Sequence, residues 1–143
     1  DMIDIDRPER AREWLGAKLD NKDKVMGFGH RVYKNGDSRV PTMRKALEDI
    51  SAHVGENKWL EIYAELEDEM RKRTGIKPNL DFLTGPAYFL MGFDIPAFTP
   101  TFVMSRITGW TAHIMEQMAS NALIRPLSAY NGVAERHIAT PSV

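Results

Sequence analysis

A chain of 143 residues is long enough for one domain with a real core. Its 19 basic and 20 acidic side chains nearly cancel, to a formal net charge of -1, which leaves no electrostatic footprint for nucleic acid or an anionic membrane. Cysteine is absent, so disulfides and thiolate metal sites are excluded, and the composition fits a reducing, cytoplasmic setting.

The start, Asp1-Met2-Ile3-Asp4, is acidic and lacks the apolar run of a secretory signal. Its first residue is Asp rather than Met, which leads to the expectation that the chain is a piece of something longer. Asp6-Arg7-Pro8-Glu9 reads as an N-cap with a capping-box Glu. Ala11, Trp14, Leu15 and Leu19 follow at helical spacing, predicting an amphipathic helix over residues 7 to 19. A short extended piece, Lys24-Val25-Met26, leads into a glycine loop. Met43, Ala46, Leu47, Ile50 and Val54 carry a second helical stripe from about Pro41. Trp59, Leu60, Ile62, Tyr63, Leu66 and Met70 mark a third, closed by Thr74-Gly75 and Pro78. Asn79-Leu80-Asp81 opens a short helix reaching Met91-Gly92. Thr99-Pro100 starts the longest helix, with Thr as N-cap and Pro at the first helical position. Phe102, Val103, Ile107, Trp110, Ile114 and Met118 continue it to Leu123, Arg125-Pro126 ends it, and the tail from Ser128 is extended.

Five helical patterns without alternating strands predict an all-α fold. The apolar stretch from Phe82 to Trp110 is broken by Gly92, Asp94, Pro96, Pro100 and Arg106, so it is not a membrane span. A charged middle (residues 41 to 74) contrasts with an apolar C-terminal third (79 to 124). The expected division is therefore residues 1-78 and residues 79-143.

The run from Gly27 to Arg39 places His30 between glycines and a cluster of cations, ending in Asp37-Ser38-Arg39. Glycines let a ligand approach the backbone, and arginine forks match carboxylates bidentately. That combination suits a pocket for a small polyanion. His30 reads either as a loop histidine bonded to backbone or as a donor that polarises the carbonyl of a keto acid. Asp81 reads either as a helix N-cap or as a general base, with Phe82 and Leu83 supplying desolvation. Arg106, in an apolar helix with no acid at i±3 or i±4, calls for a ligand or a distant partner. Arg125 complements the dipole at its helix end. His113 and Glu116 stand one turn apart, but two groups do not make a metal site, so His113 is expected in a packed helix and no metal is expected. His53 and His137 are expected to face solvent, and the apolar stripes to form core and helix–helix interface.

Three motifs occur in order: the Gly27-Phe28-Gly29-His30 loop with Asp37-Ser38-Arg39, the Asn79-Leu80-Asp81 segment, and the helix from Arg106 to Arg125-Pro126. Over nearly its whole length the chain resembles the C-terminal part of the citrate synthase family, 2-methylcitrate synthases included. The resemblance implies part of the small domain plus the C-terminal helices of the large domain of a two-domain helical homodimer. Its activity would be condensation of a short-chain acyl-CoA, acetyl or propionyl, with oxaloacetate, giving citrate or 2-methylcitrate plus CoA. No permanently bound cofactor is implied, acyl-CoA being a co-substrate. By the same resemblance His30 contacts the oxaloacetate carbonyl, Arg39 and Arg106 clamp its carboxylates, and Arg125 reaches the neighbouring subunit's site. Asp81 is the base, and Val25, Gly27, Gly29 and Asn79 line the CoA path. The family's other catalytic histidine stands in an upstream His-Gly-Gly context, which none of the four histidines here shares. The chain is therefore expected to hold a partial site and not to turn over alone. The alternative is a catalytically silent helical dimerisation or oxaloacetate-binding module.

Overall fold

The computed structural model describes residues 2–123, 125 and 127–134. Among these, α1 is Met2–Ile5, α2 Pro8–Asp20, α3 Val40–Val54, α4 Lys58–Thr74, α5 Leu80–Leu90 and α6 Phe98–Ala119, with a 3₁₀ turn at Ile95–Ala97. The only pairing of extended chain among the described residues is a single antiparallel bridge between Phe28 and Pro78. The all-α expectation holds. No described helix is long and apolar enough to cross a membrane.

Two compact units divide the chain, Asp1–Met104 and Ser105–Val143. In the first, α2 packs on α4 and α3 packs on α5, with α1 set against α2 and α4. The predicted stripes supply the core: Ala11 and Leu15 from α2, Leu47 from α3, and Ile62, Tyr63, Leu66 and Met70 from α4 are buried. The Leu, Ile and Met side chains among them each contribute about 1.5–3 kcal/mol of transfer free energy when fully buried. Val54, the last member of its stripe, is instead 51% exposed at the end of α3.

Arg44 of α3 donates to the Tyr63 hydroxyl (2.7 Å), pairs with Glu67 and lies over the Tyr63 ring, joining α3 to α4 through a part-buried contact. Arg12 of α2 reaches Glu65, Asp68 and Glu69 of α4, but these ion pairs are exposed and add little to stability. The end of α4 falls at Thr74 as the sequence indicates, because Gly75 takes a left-handed φ of 72° and its N–H caps the Arg71 carbonyl.

Two expected helix starts are corrected. Asp6 does not cap α2: its N–H bonds to the Met2 carbonyl, its φ is +63°, and Arg7 occupies the N-cap with no side-chain cap bond. Asp6 thus closes α1, a helix the periodicity reading did not contain. Thr99 does not cap the last helix either, because the 3₁₀ turn runs directly into Phe98 and the helix has already begun. Pro100 still falls in the first turn, where its missing N–H costs nothing.

The apolar stripe of α6, expected as core and interface, is exposed: no residue of that helix is buried. A stripe becomes core only where another element covers it. His113 is likewise not packed; its side chain is 82% exposed and its Nδ1 lies 3.0 Å from Glu116.

Candidate active site

The glycine loop is latched to the segment before α5. The Asn79 N–H donates to the Gly27 carbonyl and the Gly29 N–H to the Lys77 carbonyl, both at 2.9 Å. The Asn79 side chain completes the latch: its amide donates to the Gly29 carbonyl (2.9 Å), and its Oδ1 accepts from the Asp81 N–H (3.0 Å). One residue therefore caps α5 and pins the loop. The expected extended piece at Lys24-Val25-Met26 forms no strand; pairing is confined to the bridge one residue beyond Gly27. Replacing Asn79 with Ala removes the cap and the side-chain bond of the latch together, leaving its two backbone bonds, and a loss of about 2 kcal/mol is expected in urea unfolding. A loss under about 0.5 kcal/mol, the size of an ordinary surface substitution, would refute this double role.

Beside the latch lies a cavity of about 620 Å³. Val25, Gly27, Gly29 and Asn79, singled out in the sequence, all line it, with Phe82, Trp59 and other apolar side chains making most of the wall. Pockets of this size and character bury small ligands, the few polar groups fixing orientation. Asp81 stands at the cavity's edge and also at that of a second one of about 330 Å³, which it shares with Thr84, Gly85 and Phe102 among others. The N-cap reading of Asp81 is corrected, since Asn79 holds that position. Phe82 and Leu83, expected to shield Asp81, turn into the core while Asp81 stays exposed. Successive helical residues diverge by about 100°, so neighbours in sequence face different ways.

On the other side of Gly29, His30 is held by its own loop. Its Nδ1 accepts from the Val32 and Tyr33 amides at 3.0 and 3.2 Å. A neutral ring so bonded carries its proton on Nε2, leaving an N–H donor free to face a ligand. The backbone-bonded reading of His30 is therefore the one the structure shows, and those bonds leave its Nε2–H as the donor. The ring packs on Tyr33 (4.6 Å between centroids), and the Arg39 guanidinium lies 5.4 Å from the same Tyr33 ring. His30 and Arg39 are thereby brought to one place.

Arg39 is gripped by Asp37. The carboxylate accepts from Arg39 Nε (2.9 Å), Nη2 (2.7 Å) and the backbone N–H (3.0 Å), and also from the Leu80 N–H at 3.2 Å. These bonds, those from the Arg39 side chain foremost, hold the Asp37 carboxyl well below the usual carboxylate range despite its burial. The same bonds hold Arg39 above its ordinary value, with smaller contributions from Tyr33 and from the nearby Asp81 charge.

Arg106 and Arg125 belong to the second unit and both are exposed. The burial cost that made Arg106 call for a ligand or a distant partner is not seen, because no residue of its helix is buried. Pro126 and His137 lie outside the described residues, and His53 is exposed. No group of three or more metal-ligating side chains gathers among the described residues.

Residues 1–127 match the family described as citrate synthase, C-terminal domain. The chain belongs to the citrate synthase family. It is 67% identical over 136 residues to the 2-methylcitrate synthase of Mycobacterium tuberculosis, covering 95% of this chain and 35% of that protein. It is 65% identical over 138 residues to a citrate synthase of Mycolicibacterium smegmatis, covering 96% of this chain and 37% of the relative. Its structure is similar to that of citrate synthase from Thermotoga maritima, with a TM-score of 0.76 and 33% identity over 97% of this chain and 38% of the other. The chain thus spans about 35% of the length of the curated relatives it matches.

Within this citrate synthase domain, Tyr33 was absent from the expectations, and the contacts of Asp37 and Phe82 differ from those expected. Tyr33 carries both His30 and Arg39, Asp37 sets the Arg39 fork, and Phe82 fills the space that Gly27 leaves empty. The Asp-x-Arg spacing was the signal for Asp37, since a carboxylate two residues before an arginine can reach its side chain.

Proposed function

We propose that the protein carrying this chain is a transferase that condenses a short-chain acyl-CoA with oxaloacetate, giving citrate or 2-methylcitrate and free CoA. The carrying observation is that a backbone-held His30 and a gripped Arg39 stand against the same Tyr33 ring, with the Asp81 charge acting on Arg39 and Asp81 itself lining the 620 Å³ cavity. That assembly offers a carbonyl donor, a carboxylate clamp and a base.

The acyl-CoA arm enters along Val25, Gly27, Gly29 and Asn79. Asp81 takes a proton from the carbon next to the thioester, and the resulting carbanion equivalent attacks the keto carbon of oxaloacetate. As the new C–C bond forms, the keto oxygen gains charge and is met by the His30 Nε2–H. Water then cleaves the thioester and CoA leaves as its thiol. Arg39, Arg106 and, from the neighbouring subunit of a homodimer, Arg125 neutralise the carboxylates. The group that stabilises the enolate comes from outside these 143 residues. No resident cofactor takes part, and acyl-CoA is consumed as co-substrate. A 2-methylcitrate synthase and a citrate synthase match at nearly equal identity. An acyl pocket that differs by one methylene separates such substrates by only about 1–3 kcal/mol, so acetyl-CoA and propionyl-CoA are both within the proposal.

The test is thiol release with oxaloacetate plus each acyl-CoA, by this chain alone and by this chain joined to the upstream region of the Mycobacterium tuberculosis relative. Turnover is expected from the joined protein only. Turnover by the chain alone would overturn the partial-site reading, and oxaloacetate binding without turnover in the joined protein would favour a binding module.

A further inference from the structure

We infer that Asp37 is a positioning residue of this site: it grips Arg39 by one edge, so that the adjoining edge meets a substrate carboxylate, and fastens that grip to the helix bearing Asp81. This inference rests on the roles proposed above for Arg39 and Asp81.

Asp37 comes from the loop and its side chain is fully buried, with 0% exposure. A buried carboxylate needs its oxygens satisfied, and four hydrogen bonds do so here. Arg39 has five N–H groups in a fixed fork. Asp37 consumes Nε–H and one N–H of Nη2, which leaves the edge formed by Nη1 and the second N–H of Nη2. That edge has the geometry for a second bidentate carboxylate, and with 41% of the side chain exposed it is reachable. The Tyr33 ring beside the guanidinium restricts how the plane can turn. Meanwhile Oδ2, which accepts from Arg39 Nη2, accepts also from the Leu80 N–H. Leu80 opens α5 and immediately precedes Asp81. One oxygen therefore joins the substrate clamp to the helical turn that presents the base.

Asp37→Asn keeps the volume but sets an NH₂ against donors, whichever way the amide turns. In the joined protein, the KM for oxaloacetate is expected to rise about tenfold or more, and kcat to fall, as the fork and the turn lose their common anchor. The KM for acyl-CoA should stay within about twofold, because the latch lining its path does not involve Asp37. In an Arg39→Gln background, Asp37→Asn should change the oxaloacetate KM by less than about twofold, the non-additivity of residues acting as a unit. An unchanged oxaloacetate KM, or independent effects in the cycle, would overturn the inference; a role in stability alone would move both KM values or neither.

Should the variant not fold, hydrogen exchange on the wild-type protein decides. The Arg39 Nε–H and Leu80 N–H are expected to be protected and to remain so with oxaloacetate bound. Exchange at Leu80 as fast as in the open loop, or release of Nε–H on binding, would overturn the inference. A wild-type protein that neither binds oxaloacetate nor turns over would instead sink the proposed function.

Discussion

Asp81→Asn is expected to lower thiol release by the joined protein about 10²–10⁴-fold, the range for removing a positioned general base. The amide has almost the shape of the carboxylate but cannot accept the proton from the acyl carbon. Stability should barely change, because Asp81 is exposed and the cap of α5 belongs to Asn79. Loss of a charge in the first turn of a helix costs about 0.3–1 kcal/mol at most at such a site. Oxaloacetate binding should persist, since His30, Arg39 and Asp37 bond to other groups. The measurement is thiol release over a substrate series, with calorimetric oxaloacetate binding as control. A rate within tenfold of wild type would remove Asp81 from the chemistry and leave the two adjoining cavities as binding space only.

Periodic features were legible in the sequence, and features that depend on a partner far along the chain were not. The stripe from Trp59 to Met70 identified α4 because every turn repeats the same demand, and Gly75 marked its end by the one conformation glycine adopts cheaply. The capping box at Asp6 misled because a cap reads the same whether the residue opens one helix or closes the one before it. Only the Asp6 N–H bond to Met2 distinguishes the two. Residue types marked His30 and Arg39 as candidates, since glycines and cations around an imidazole serve no core, whereas Asp81 as a base rested on the family resemblance. Their orientation was not legible. Asp37 bonds to Leu80 and Asn79 bonds to Gly29 across 43 and 50 residues, and no local pattern encodes such separations. The exposure of α6 was equally hidden, because an apolar stripe records what a helix is able to bury and not what covers it.

Gly27→Ala should destabilise the first unit by about 2–5 kcal/mol, as much as truncating a buried core side chain. Two costs combine. Gly27 has a φ of +88°, where an L side chain is strained by about 1–2 kcal/mol. An added Cβ would also lie 2.8 Å from Phe82 Cβ and Cδ2 and 3.0 Å from its Cα, and overpacking of this kind costs about 1–3 kcal/mol. Phe82 has little room to yield, with its ring 4.4 Å from that of Phe28 and 5.1 Å from that of Tyr63. Movement would therefore pass to the Cα of Phe82, displacing the turn that presents Asp81 and the wall of the larger cavity. Gly75→Ala is the control, for Gly75 has a φ of +72° but no neighbour within 4 Å of the added carbon. It should show the strain alone, about 1–2 kcal/mol. Urea unfolding of both variants separates the costs. Equal losses would mean that Phe82 gives way freely, and the tight packing of the glycine loop on α5 would then not be what holds Asp81 in place.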